Sequence, residues 1–192
     1  TNSFIIDADL SYVNFSNSIL KNTIIINANL EGTNFTNANL ESSKIDLETT
    51  NLNKAILTGT NLNGLDLSNI DWSNIDLTDT VFKNCNITGS SFSGSTLTGT
   101  DFSSSIGFNT VNIEDAVLKG INLTGLNLSN KDFSTLNLKG AIFKDTNLTN
   151  TKFTGAYVIQ ADFTNANLTN TEFKKAYLDK VIFSNNIFSG TN

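Results

Sequence analysis

The chain has 192 residues, with 18 acidic residues against 12 Lys and no Arg, a net charge of −6, and no His, Pro or Met. That balance excludes a polybasic nucleic-acid binder, and the missing imidazole and guanidinium groups remove the usual general base and anion clamp. A lone Cys85 rules out an internal disulfide framework, and no apolar run reaches the ~18 residues of a membrane span. A cytoplasmic protein without a membrane segment is the default expectation, and the start at Thr1 rather than Met leaves room for a trimmed N-terminus.

A large apolar residue recurs at every fifth position. The first register runs from Ile5 through Leu10, Phe15, Leu20, Ile25, Leu30 and Phe35 to Leu40. A second runs from Leu47 to Phe102, including Leu67, Trp72, Leu77 and Phe82, and a third from Phe108 to Phe188. A longer period of twenty lies over it. Phe133, Phe153 and Phe173 form one series, and Phe143, Phe163 and Phe183 a second, offset by ten. Five residues per unit and four units per turn describe a square coil that climbs one strand spacing per circuit.

Two places before each large residue sits a smaller one, such as Ala28, Thr60, Cys85, Ala141 or Ala161. Alternation points both inward, and the residue between them, often Asn or Asp, outward. Eleven of the twelve Gly stand two places after a large residue, where a corner needs a positive φ. The outward series Asn127, Asn147 and Asn167 is expected to stack as an amide ladder, and Asp132, Lys152 and Glu172 as a column of alternating charge.

Units such as Ala28-Asn29-Leu30-Glu31-Gly32, Ala161-Asp162-Phe163-Thr164-Asn165 and Ala166-Asn167-Leu168-Thr169-Asn170 resemble the motif of the pentapeptide-repeat family, small–Asp/Asn–Leu/Phe–Ser/Thr–Gly. The resemblance covers essentially residues 1–192 as a single domain and implies an all-β fold, a right-handed quadrilateral parallel β-helix. Four units per coil give about nine coils, and a spacing of roughly 4.8 Å gives a rod of about 43 Å.

The register slips by two near residues 41–47 and by one near 103–108, where Gly107, the odd glycine out, falls. Both slips are expected to form bulges or short corner loops. Bulky residues take the small inward position at Leu65, Ile70, Ile75, Ile121, Leu126 and Leu136, which should widen or alter the turns there. Lys131 and Asn186 fall at inward positions too, where a charge or amide is costly, and Lys131 is expected to swing out or sit at a distorted corner.

Two outer surfaces stand out. The acidic one carries Asp66, Asp71 and Asp76 on successive faces, with Asp46 stacked below Asp66. The apolar one carries Tyr157 and Tyr177 in one column and Ile142 and Ile182 in another. Catalysis is not expected, and neither is a cofactor, a metal, direct nucleic-acid binding or a membrane. The first functional reading is a scaffold or interaction rod that presents its outer columns to a protein partner, including a second copy docked through a rod end or an apolar column. The alternative comes from the resemblance: quinolone-resistance members of the family mimic DNA and bind type II topoisomerases such as DNA gyrase. Magnitude opposes it, since about 43 Å of duplex carries about 25 charges against a net −6 here.

Overall fold

A computed structural model describes residues 3–45, 52 and 54–192. Most corners among the described residues are closed in the same way. The N–H of the small inward residue donates to the carbonyl of the large residue three places back, as from Ala38 to Phe35 (2.7 Å) and from Thr151 to Leu148 (3.0 Å). The third residue of that turn is left-handed, with φ of 63° at Gly32, 55° at Asn37 and 58° at Asn150. Left-handed backbone costs an ordinary L-residue roughly 1–2 kcal/mol, and Gly and Asn suffer least. Twelve of the 24 described non-glycine residues with positive φ are accordingly Asn, although the β-branched Thr135 is also held at 64°.

The outward Asn or Asp before each large residue has a structural role. Its side-chain oxygen accepts the N–H two residues on, as at Asn29–Glu31 (3.1 Å), Asn122–Thr124 (3.1 Å) and Asp132–Ser134 (2.8 Å). Such an Asx turn fixes the corner before it forms.

Coils join through a parallel ladder. Phe153 N–H donates up to Glu172 (2.7 Å), and Tyr177 N–H donates back to Ala156 (2.9 Å). Among the described residues one face alone extends into true strands: β1 (Phe4–Ile6), β2 (Ile24–Ile26) and β3 (Lys44–Ile45), paired in that order. Ile25 pairs with Ile45, so Ile45 belongs to the first register. Partners lie twenty residues apart until Asn34 pairs with Ile56, two further on, and the spacing is back to twenty at Asn61–Val81. Asp46 and Leu47, where the sequence placed the first slip, lie outside the described residues.

At the second slip Ser91 pairs with Asn112, twenty-one residues away, and the extra residue is taken up by a 3-10 turn at Phe108–Thr110. Gly107 precedes it with φ 92°, and a Cβ there would lie 2.5 Å from the Thr88 Cα, so only glycine fits. Lys131 does not swing out. Its Nζ donates to the carbonyls of Val111 (2.7 Å), Phe108 (3.4 Å) and Asn109 (3.4 Å) and lies 5.8 Å from the Phe108 ring centroid. The cation thus reaches the Val111 and Asn109 carbonyls and adds a second donor to the Phe108 carbonyl, which already accepts the Val111 N–H (3.4 Å), and burial pushes its pKa below the usual lysine range.

Inside, aromatic rings stack coil on coil and meet edge to face across the core. Phe143 and Phe163 stack at 4.8 Å, Phe133 and Phe153 at 5.3 Å, and Phe153 and Phe173 at 5.1 Å, while Phe153 and Phe163 cross at 88°. Both arrangements suit the ring quadrupole. Phe183 continues the stack on Phe163 at 5.4 Å but is 39% exposed in the last coil. Bulky residues at small positions do stretch their corners: the turn bond is 3.3 Å at Leu65, Ile75, Ile121, Leu126 and Leu136, against 2.7–3.1 Å at the alanines.

Inward hydroxyls bond to the large residue's carbonyl one coil below, as Thr60 to Phe35 (2.8 Å) and Thr171 to Leu148 (2.9 Å). Cys85 does the same toward Leu62 (3.0 Å), and burial pushes its thiol up to about 11. Asn186 substitutes its amide in this role, donating to the Phe163 and Ala166 carbonyls.

Phe153→Ala should destabilise the fold by about 3–5 kcal/mol in denaturant melts, and an unchanged midpoint would contradict its place in the stack. Lys131→Met, which takes the side-chain donor from the Val111 and Asn109 carbonyls, should lose about 2–3 kcal/mol, whereas Lys139→Met at an exposed corner should change the midpoint little.

Candidate interaction surface

Asp66, Asp71 and Asp76 are all exposed, each on a different face of the coil. They therefore do not converge on one patch. Each caps its own corner, accepting the N–H of Ser68 (3.2 Å), Ser73 (3.0 Å) and Thr78 (3.0 Å) respectively. Asp66 also accepts the Asn86 amide (3.0 Å). The hydroxyl and N–H of Ser73 hold the Asp71 carboxyl below the usual carboxylate range. Asp46, assigned with them on sequence, lies outside the described residues.

The C-terminal half carries the more distinctive feature. Tyr157 and Tyr177 stand on successive coils with parallel rings, centroids 4.4 Å apart and planes 5° apart, and are 44% and 52% exposed. Asn137 precedes them in the same column. On the next face the order is Ile142, Asp162, Ile182, so the two isoleucines share a column but stand two coils apart. Asp162 separates them and pairs with Lys144 at 3.1 Å. Ile182 is 49% exposed and Ile142 is half-buried.

Other predicted columns are only partly realised. Asn147 donates to Asn127 (3.1 Å), but the Asn147 oxygen that Asn167 would have to reach is taken by the N–H and hydroxyl of Thr149. The continuous amide ladder runs instead through the corner residues Asn130, Asn150 and Asn170, with both bonds at 3.1 Å. Asp132, Lys152 and Glu172 do stack on adjacent rungs. An open groove of about 610 Å³ runs beside the inserted turn past Asn109, Glu114, Lys131 and Asp132, but its lysine is committed to backbone carbonyls. Among the described residues no three Cys, Asp or Glu side chains gather as a metal site, and no helix is long and apolar enough to cross a membrane.

Comparison with curated proteins finds no match. Among solved structures the chain is similar to HetL, a pentapeptide repeat protein involved in heterocyst differentiation regulation from the cyanobacterium Nostoc sp. strain PCC 7120. The two share 21% identity and a TM-score of 0.60, over 98% of this chain and 84% of that one. It is also similar to QnrB1, a plasmid-mediated fluoroquinolone resistance protein, at 15% identity and a TM-score of 0.56, over 96% and 88%. The family model for pentapeptide repeats matches eight copies, over residues 6–41, 43–69, 66–104, 116–155 and 146–185. The chain belongs to the pentapeptide-repeat family and folds as its right-handed quadrilateral β-helix.

Proposed function

We propose that the chain is a non-catalytic rod that acts by presenting its outer faces to a protein partner, with the stacked Tyr157–Tyr177 pair as its anchor. The observation that carries this reading is the pair itself: two half-exposed aromatic rings held parallel 4.4 Å apart by the ladder beneath them. Each ring is fixed by its neighbour, so little side-chain entropy remains to be lost on binding, and buried aromatic anchors dominate interface energies. Ile182, one face on, extends the apolar surface.

A second reading, engagement of a type II topoisomerase, is supported by the exposed carboxylates of Asp66, Asp71 and Asp76 and by the fold shared with QnrB1. Its weakness is the modest net charge of −6.

Affinity capture from the source cells, comparing the wild type with the Tyr157→Ser/Tyr177→Ser variant, tests the first reading. A partner held by the wild type and lost by an equally stable variant is expected, and identical capture by both rejects the tyrosine anchor. The second reading is tested in a gyrase supercoiling assay with and without a quinolone. Changing Asp66, Asp71 and Asp76 to Asn keeps the corner acceptors but removes three charges, so the variant should melt like the wild type and lose any inhibition or drug protection. No wild-type effect at high protein excess disposes of this reading.

A further inference from the structure

We infer that the partner is an acidic protein segment, whose Asp and Glu side chains meet the lysines that frame Tyr157 and Tyr177 while an apolar residue among them packs against the pair. This inference rests on the tyrosine-anchor reading and gives that surface a partner of stated chemistry.

Several lysines of the rod have an acid beside them. Lys21 pairs with Glu41, Lys54 with Glu31 (3.1 Å) and Lys144 with Asp162 (3.1 Å), each one coil away. Lys152 stacks between Asp132 and Glu172. The tyrosine face departs from this pattern. Residues 134–192 hold six Lys and four acidic residues, and four of those Lys stand on this face or at its corners, with Asp179 the one acid among them. Lys174 and Lys175 make the corner before Tyr177, Lys180 makes the corner after it, and Lys139 follows Asn137 one coil below Tyr157.

Lys119 lies directly under Lys139, since the Gly120 N–H next to it donates to the Lys139 carbonyl (2.9 Å). All five lysines are exposed, and among the described residues none is in an ion pair. Like charges on adjacent rungs repel, and an arriving carboxylate relieves that repulsion. Lys139 and Tyr157 stay exposed with a coil on either side, because outward positions are not covered when coils stack. The rings favour the same partner. Each spends one face on the other, so what remains to offer is ring edge, the positive rim of the quadrupole, and hydroxyl. The Tyr177 hydroxyl holds the Tyr157 phenol above its usual range, which keeps it a neutral donor to a carboxylate.

A nucleic acid, the other common polyanion, fits less well. Bases stack on free aromatic faces, and these two rings are stacked on each other. A long phosphate chain lying along the rod would also run onto residues 1–96, which hold ten acidic residues against four Lys. A short acidic segment meets the lysines and stops before that half.

Fluorescence anisotropy of the intact chain with a labelled dodecapeptide of Asp and Glu around a central Trp tests the inference. The wild type should bind it about tenfold or more tightly than the same peptide carrying Asn and Gln in place of the acids, and less tightly as salt rises. Lys139→Gln/Lys174→Gln/Lys175→Asn/Lys180→Asn, with Asn at the two left-handed corners, should melt like the wild type and lose about tenfold or more in affinity. Lys139→Arg/Lys174→Arg, which keeps the charge, should bind as the wild type does. Lys44→Gln/Lys83→Gln, which removes two exposed lysines of the other half, should change nothing, and an equal loss there would overturn the assigned face. Equal or tighter binding of an oligothymidylate of the same length would overturn the choice of a protein partner. No binding of the acidic peptide at millimolar concentration, or a loss confined to Tyr157→Ser/Tyr177→Ser, would overturn the acidic partner and leave the tyrosine anchor standing. A loss confined to the lysine variant would uphold the acidic partner and remove the anchor.

Discussion

A five-residue unit can turn a right angle only if the third residue of its turn accepts a positive φ, and the whole molecule is organised around that requirement. The left-handed residue brings the next inward N–H back to the preceding large residue's carbonyl, which closes the corner. It explains why Asn and Gly are abundant and Pro is absent. The outward Asx residue relieves part of the strain by pre-forming the turn from the other side. Once corners repeat at a fixed length, inward residues superimpose from coil to coil, and the aromatic stack follows without further instruction.

Much of this architecture is written in one dimension. The five-residue period names the inward residues, the twenty-residue period names which of them stack, and the odd Gly107 marks the place where an extra residue enters. Features that depend on what lies one coil away were harder to read. The inward position of Lys131 was visible, but its role was not, because its partners Phe108, Asn109 and Val111 become neighbours only after the inserted turn shifts the register. The hydroxyl bonds from Thr60 or Thr171 to the coil below were missed for the same reason. Asp162 between Ile142 and Ile182 needed only the twenty-residue count and could have been found. The turn-capping role of the outward Asn and Asp was also within reach, since Asx turns are set by local spacing.

The candidate site divides along the same line. Sequence picked out Tyr157 and Tyr177 as one column, and parallel stacking at 4.4 Å turns that column into a single rigid surface. Asp66, Asp71 and Asp76 were picked out for their charge, yet each has its own bond to a corner N–H. A carboxylate that holds a turn is not thereby excluded from recognition, but its presence no longer needs recognition to explain it.

That dual role has an evolutionary consequence. Asp and Asn offer the same side-chain oxygen to the corner N–H, so exchange between them is nearly silent to the fold while each exchange changes the surface by a full charge. A lineage can therefore drift from a nearly neutral rod to a strongly acidic one by single steps, none of which passes through an unstable intermediate. Selection on a binding partner can then act on the charge of the rod without first having to rescue its shape.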